Sequence, residues 1–127
     1  GQALIGACGY VPCLDAFGQL PAFGAAHDAT RRGLTTTAFG LYWAVSPRYQ
    51  RRGYATEAAG ALVRYAFTNL NLRRIIATTT HENAASLGVM RKLGMRIERN
   101  PYPEPPWLQA VGILDNPALA ANDEEQR

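Results

Sequence analysis

Two apolar periods alternate along this chain, and the switches between them divide it into elements. Residues Ala3 to Leu14 (ALIGACGYVPCL) read as a strand with small residues interspersed, and Pro12 ends it or places it at a sheet edge. Phe17 to Gly33 lacks sustained periodicity and reads as a long connection, of the kind that is either functional or mobile. Thr35 to Val45 is rich in β-branched and aromatic residues and predicts a second strand, stopped by Ser46-Pro47. From about Arg52 to Leu70, Ala55, Ala58, Leu62, Ala66 and Leu70 recur at helical spacing, with Glu57, Arg64 and Thr68 outside the stripe. Leu72 to Thr80 predicts a third strand. Strand, helix, strand is a βαβ unit, so strands two and three are expected parallel with a right-handed crossover. Asn83 to Leu93 predicts a shorter helix, with Gly94 placed to end it in the left-handed conformation. Met95 to Glu98 starts a fourth strand, the proline-rich stretch Pro101 to Pro106 forces an extended linker, and Leu108 to Leu114 reads as the last strand. The polar, alanine-rich stretch from Asp115 reads as a frayed tail. The expected organisation is therefore one domain over residues 1–114 and a tail over residues 115–127.

Composition narrows the function classes. A length of 127 residues is one domain's worth of chain, and 47% hydrophobic with 18% charged residues describes an ordinary globular protein. No apolar run approaches the roughly 20 residues that span a bilayer, and Gly1-Gln2 does not open a basic stretch leading into an apolar core. The expectation is a cytoplasmic protein without a membrane partner. A net charge of +3 is too mild for a nucleic-acid binder, whose charge concentrates on one face. The basic residues cluster at Arg48, Arg51 and Arg52 around a glycine, which points to a phosphorylated small molecule instead. Cys8 and Cys13 lie five apart, on opposite faces of a continuous strand, and no histidine near them completes a metal set. They read as reduced, structural cysteines, and no metal is expected.

The informative segment runs from Val45 to Ala58 (VSPRYQRRGYATEA). A strand ends in a proline turn, and a short basic loop leads through Gly53 into a helix. The first N–H groups of a helix have no internal partner and carry the positive end of its dipole. A pyrophosphate can accept those hydrogen bonds, Gly53 and Ala55 leave room for it to approach, and Arg51 and Arg52 add charge at the rim.

These residues also carry a resemblance. Gln50-x-x-Gly53-x-Ala55 is similar to the Gln/Arg-x-x-Gly-x-Gly/Ala signature of the GNAT acetyltransferases, in the strand-to-helix setting that family requires. The longer run RRGYATEA resembles the branch containing the ribosomal-protein N-terminal acetyltransferases. A second block, Asn83-Ala84-Ala85-Ser86 followed by Lys92-Leu93-Gly94-Met95, resembles the family's Asn-x-x-Ser/Ala…Lys-Leu-Gly-Phe/Met motif. The resemblance implies an α/β fold whose mixed, mostly antiparallel sheet contains one splayed parallel strand pair. It implies acetyl-CoA as co-substrate and a primary amine, on a small molecule or a peptide N-terminus, as acceptor. On the family pattern the pyrophosphate lies over Gln50, Arg51, Arg52, Gly53, Tyr54, Ala55 and Thr56. Ala44 and Val45 offer backbone groups to the pantetheine between the splayed strands, and Asn83 contacts its arm. A chain that binds the cofactor with little or no catalysis is the rival reading.

The sequence departs from the family pattern in three places. Many relatives carry a glutamate base early in the strand before the proline turn, where this chain has Ala38-Phe39-Gly40-Leu41. The tyrosine that protonates the leaving thiolate in many relatives is replaced by Met90, and Ser86, one turn earlier, holds the position assigned that role in the ribosomal-protein branch. The strand and helices that open a full GNAT domain precede the segment resembling Ala3–Leu14. Without them the first strand is an uncharged edge and apolar sheet surface is uncovered, so a homodimer or higher oligomer is expected. Lesser candidates are His81 beside the Asn83 block, and Glu98 and Glu104, which read as solvated. Tyr42 and Trp43 are candidates for the acceptor channel, and Trp107 for anchoring the last strand.

Overall fold

The computed structural model describes residues 3–23, 33 and 36–119. Five strands and two helices alternate: β1 (Gly6–Asp15), β2 (Thr36–Val45), α1 (Tyr54–Thr68), β3 (Arg74–Thr79), α2 (Ala84–Lys92), β4 (Arg96–Arg99) and β5 (Ala110–Asp115). They form one mixed sheet in the order β1-β2-β3-β5-β4. β1 and β2 pair antiparallel from Gly6↔Val45 to Asp15↔Thr36, and β5 pairs antiparallel with both β3 and β4. The parallel pair is β2 with β3, as the βαβ pattern predicts, and it is joined only at Gly40↔Ile76. Towards their C-terminal ends no further ladder pair joins the two strands.

Each sheet face has its own core. On the helix face, Leu41, Ile75, Ala77 and Met95 bury against Ala59, Val63 and Ala66 of α1 and Met90 of α2. The stripe that α1 buries is Ala59–Val63–Ala66: it shares Ala66 with the predicted one and shifts by one position from Ala58 and Leu62, with Leu62 half-buried at its edge; Ala58 and Leu70 are exposed. The helix is alanine-rich nearly all round, so periodicity alone gives a broad apolar arc, and packing on the sheet selects its centre. Gly112 of β5 sits under this layer, where a Cβ would come within 3.0 Å of the sulfurs of Met90 and Met95.

The far face shows what the sequence pattern missed. The stretch read as a featureless connection begins with two short 3₁₀ turns, Phe17–Gln19 and Pro21–Phe23. Phe17 and Leu20 are buried to 1% exposure against Ile76, Leu108, Val111 and Ile113. This segment covers apolar sheet surface that was expected to lie open; Val11 and Tyr42, farther towards β1, remain exposed. The other half of that stretch, and the acidic tail at residues 123–125, lie outside the described residues.

Buried amides tie the covering segment down. Gln19 Nε2 donates to Asn100 Oδ1 (2.6 Å) and to the Glu104 carbonyl (2.9 Å), while Asn100 Nδ2 donates to the carbonyls of Glu104 and Leu108. Glu98, expected to be solvated, is largely buried and accepts the Ala22 N–H at 2.9 Å. Trp107 anchors nothing by burial: it is 61% exposed, and its indole N–H reaches Asp15 Oδ2 at 2.6 Å. The ordered chain also runs past residue 114. Asp115 pairs with Arg74 at 2.6 Å, and buried Asn116 donates to the carbonyls of Phe67 and Leu72, closing the end of α1 onto the sheet.

Candidate active site

The turn after β2 is built by local hydrogen bonds. Tyr49 N–H donates to the Ser46 carbonyl at 2.8 Å, and Gln50 Nε2 folds back onto the Val45 carbonyl at 2.9 Å. The chain then takes two left-handed residues, Arg51 (φ 63°) and Gly53 (φ 83°), and Gly53 caps α1. A Cβ built on Gly53 meets nothing within 4 Å. Glycine is therefore favoured here by its backbone conformation rather than by crowding within the chain. Glu57 N–H reaches back to the Gly53 carbonyl, and the N–H groups of the preceding first-turn residues have no partner inside the helix.

Facing this turn is α2. Asn83 caps it, its side-chain oxygen accepting the Ser86 N–H at 3.1 Å. Asn83, Ser86, Val89 and Lys92 recur every three residues and all line one cavity, so they form a continuous stripe along the helix. Small residues beside the stripe, Ala85 and Gly88, keep that wall shallow.

The cavity between the two walls has a volume of about 570 Å³. It brings together residues from both sequence motifs. Ala44, Val45, Gln50, Arg51, Gly53, Ala55 and Thr56 line it from the β2 side, and Asn83 and Ser86 from α2. Arg52 and Tyr54 are not among its lining residues; the Arg52 guanidinium lies over the Tyr49 ring, 5.6 Å from its centroid. Arg51 and Lys92 bring positive charge to the lining. Lys92, Val89 and Tyr49 were not read from the sequence as site residues, although the three-residue spacing from Asn83 carries the signal for the first two.

Strand register determines which backbone groups face the splay. Ser46 N–H donates to the Ile5 carbonyl at 2.6 Å, so the alternation of an antiparallel ladder turns the peptide groups of Ala44 towards β1. Those of Trp43 and Val45 turn towards β3, into the gap that opens beyond Gly40↔Ile76. Ala44 thus lines the cavity without turning its peptide groups into the gap, whereas Trp43 and Val45 turn theirs there, the Val45 carbonyl also accepting Gln50 Nε2.

A second cavity of about 240 Å³ passes through the sheet at this gap. Its lining combines Leu41 and Ala77 from the helix face with Cys13, Gly40, Tyr42 and Ile76 from the far face. The two cavities share Trp43 and Ser86. His81, Glu98 and Glu104 line neither.

The acetyltransferase (GNAT) domain family matches residues 1–96 of the 127. The chain belongs to that family. Among curated GNAT-type relatives, the uncharacterized N-acetyltransferase YnaD of Bacillus subtilis is 54% identical over 56 residues, covering 44% of this chain and 33% of the relative. The spermidine N(1)-acetyltransferase of Escherichia coli is 41% identical over 54 residues, covering 42% of this chain and 29% of the relative. Each match thus spans about a third of the relative's length. Among solved structures, an acetyltransferase from Agrobacterium tumefaciens superposes with a TM-score of 0.53 at 29% identity, covering 60% of this chain and 44% of that one.

Proposed function

We propose that this chain binds acetyl-CoA in the larger cavity and transfers the acetyl group to a primary amine by direct attack in a ternary complex. One observation carries the reading. Two motifs thirty residues apart in sequence line a single groove, and that groove meets a passage through the sheet at Ser86 and Trp43. The pyrophosphate is assigned to the N-terminus of α1 and the turn before it, with Arg51 and Lys92 adding charge. The pantetheine runs along the α2 stripe into the β2/β3 gap, where Trp43 and Val45 offer backbone hydrogen bonds in place of the missing ladder. The thioester then lies beside Ser86, and the amine approaches through the smaller cavity.

The chemistry asks mainly for positioning. The amine nitrogen attacks the thioester carbonyl, the C–S bond breaks, and the nitrogen's proton is lost as the thiolate leaves. Holding the two reactants together supplies much of the rate gain. Backbone N–H groups in the gap are assigned to stabilise the developing oxyanion. Ser86 is assigned to protonate the thiolate, since it lies where the two cavities meet.

The second reading is an acyl-CoA-binding chain with little or no catalysis. It is favoured by the neutral or cationic character of every described residue lining the two cavities. Calorimetry with acetyl-CoA, followed by thiol release across a panel of amines, separates the two. Micromolar binding with turnover, and a Ser86→Ala variant that loses turnover at unchanged affinity, fits the transferase. Binding without thiol release leaves only the second reading, and no binding removes both. A cytoplasmic location and a homodimer or higher oligomer that covers the β1 edge belong to the same proposal. A monodisperse monomer by light scattering overturns the oligomer.

A further inference from the structure

The smaller cavity begins where the larger one ends. They share Trp43 and Ser86, so the passage opens beside the position assigned to the thioester. From that mouth it runs between buried Leu41, Ile76 and Ala77 towards the ladder pair Gly40↔Ile76. Cys13 lies against Gly40: a Cβ built on that glycine would fall 2.9 Å from Cys13 Sγ and 2.8 Å from the Val11 carbonyl oxygen. Glycine at this position lets the β1 side chain rest flat over β2. Among the described residues, Cys13 is the one common to this passage and a third cavity of about 560 Å³, lined also by Phe23, Ala38 and Phe39. Its side chain is therefore the partition between the two. Burial, and then the Asp15 charge, push the Cys13 thiol up from its ordinary value, so it stays a neutral thiol, with its Sγ–H donated to the Val11 carbonyl at 3.2 Å. A thiol in that state behaves as a small hydrophobe. The passage thus offers apolar walls and an apolar end. Its volume of about 240 Å³ exceeds what an acetyl group fills, since a water, close in size to a methylene, takes about 30 Å³ in the liquid.

We infer that this passage is a subsite for the acyl chain of the donor, ended by Cys13 where it lies over Gly40, and that the protein takes acyl-CoA thioesters several carbons longer than acetyl. This rests on the acetyl-CoA site proposed above and widens its donor class. Each methylene that enters the passage leaves water for apolar surface, which is favourable until the acyl chain meets the Cys13 sulfur. Beyond that length the acyl chain must displace the partition or fold back, so affinity passes through a limit set by one side chain. The far-face side of the passage stays open at Tyr42, which is 46% exposed, and at exposed Thr78, leaving an amine its own approach. Transfer from a longer donor keeps the same balance: N–C forms, C–S breaks, and the proton lost from nitrogen ends on the thiolate.

The test titrates the protein with acetyl-, butyryl-, hexanoyl- and octanoyl-CoA by calorimetry, with no acceptor amine present. Butyryl-CoA is expected to bind about tenfold more tightly than acetyl-CoA, from the burial of two further methylenes. The gain should stop by octanoyl-CoA, where the acyl chain has reached Cys13. Cys13→Leu should cancel the butyryl gain, and Cys13→Ala, which joins the passage to the third cavity, should let tightening continue through octanoyl-CoA. Butyryl-CoA bound no more tightly than acetyl-CoA overturns the inference while the acetyl-CoA site stands. Tightening that runs unbroken through octanoyl-CoA in the unsubstituted protein overturns it too, since an open surface then holds the acyl chain. So does an unaltered profile in both variants once thermal unfolding shows them folded. Should Cys13→Leu fail to fold, Cys13→Ala carries the same decision. If none of the thioesters binds, the proposed site and the inference fall together.

Discussion

The two faces of this sheet are held together by different means. On the helix face, contiguous motifs set the geometry: a strand, a turn with two left-handed residues, and helices whose caps and stripes are written in neighbouring positions. On the far face, a short segment after β1 lies over the sheet and is fixed by partners from the other end of the chain. One face forms the candidate site and the other supports it. The contrast teaches that a site can be read locally while the scaffold beneath it cannot.

Substitutions sharpen this division, and the largest effect is expected on the supporting face. Phe17→Ala removes a side chain 1% exposed and should cost about 3–5 kcal/mol of stability. Thermal or urea unfolding reads it directly. If the faces are separable, acetyl-CoA affinity of the remaining folded protein stays within a few-fold. A tenfold loss of affinity at temperatures where the variant is fully folded breaks the comparison.

Gly53→Val should do the reverse. A β-branched residue at φ 83° is strained by about 1–2 kcal/mol. The turn is expected to rearrange, weakening acetyl-CoA binding by about tenfold, or 1.4 kcal/mol. Unchanged affinity by calorimetry removes the pyrophosphate assignment to this turn.

The smallest effect tests whether cap and ligand roles of Asn83 overlap. Asn83→Ala loses the cap to Ser86 and should cost about 1 kcal/mol of stability, whereas Asn83→Asp keeps an acceptor oxygen there. Stability recovered by aspartate with affinity still reduced separates contact with the pantetheine arm from capping. Affinity that recovers together with stability leaves Asn83 a cap alone.

Legibility in the sequence followed the same boundary. The βαβ crossover and the glycine turn were readable, because each follows from patterns carried by consecutive stretches of chain; Asn83 was read as the start of α2, and its capping bond to the Ser86 N–H came from the structure. The α1 stripe was legible at Ala66 and missed by one position at Ala59 and Val63, since an alanine-rich helix does not declare its buried side until a sheet is pressed against it. Phe17 and Leu20 carried no periodic signal, because a pair of 3₁₀ turns has too few residues to show one. Glu98 read as solvated because its partner, the Ala22 N–H, is distant in sequence. The turning of Ala44 away from the gap, and of Trp43 into it, is a property of strand register and cannot be seen in either residue.

The Gln19–Asn100 bond joins residues 81 positions apart, and the Trp107–Asp15 bond joins residues 92 apart. Chain closure over such spans costs conformational entropy before any contact returns it. The β2-α1-β3 unit closes much shorter loops, so its partial order should come first in refolding, with the far side docking afterwards. A stopped-flow study would see this as mutations near Phe17 that accelerate unfolding while scarcely slowing folding, and mutations near Val63 that slow folding itself.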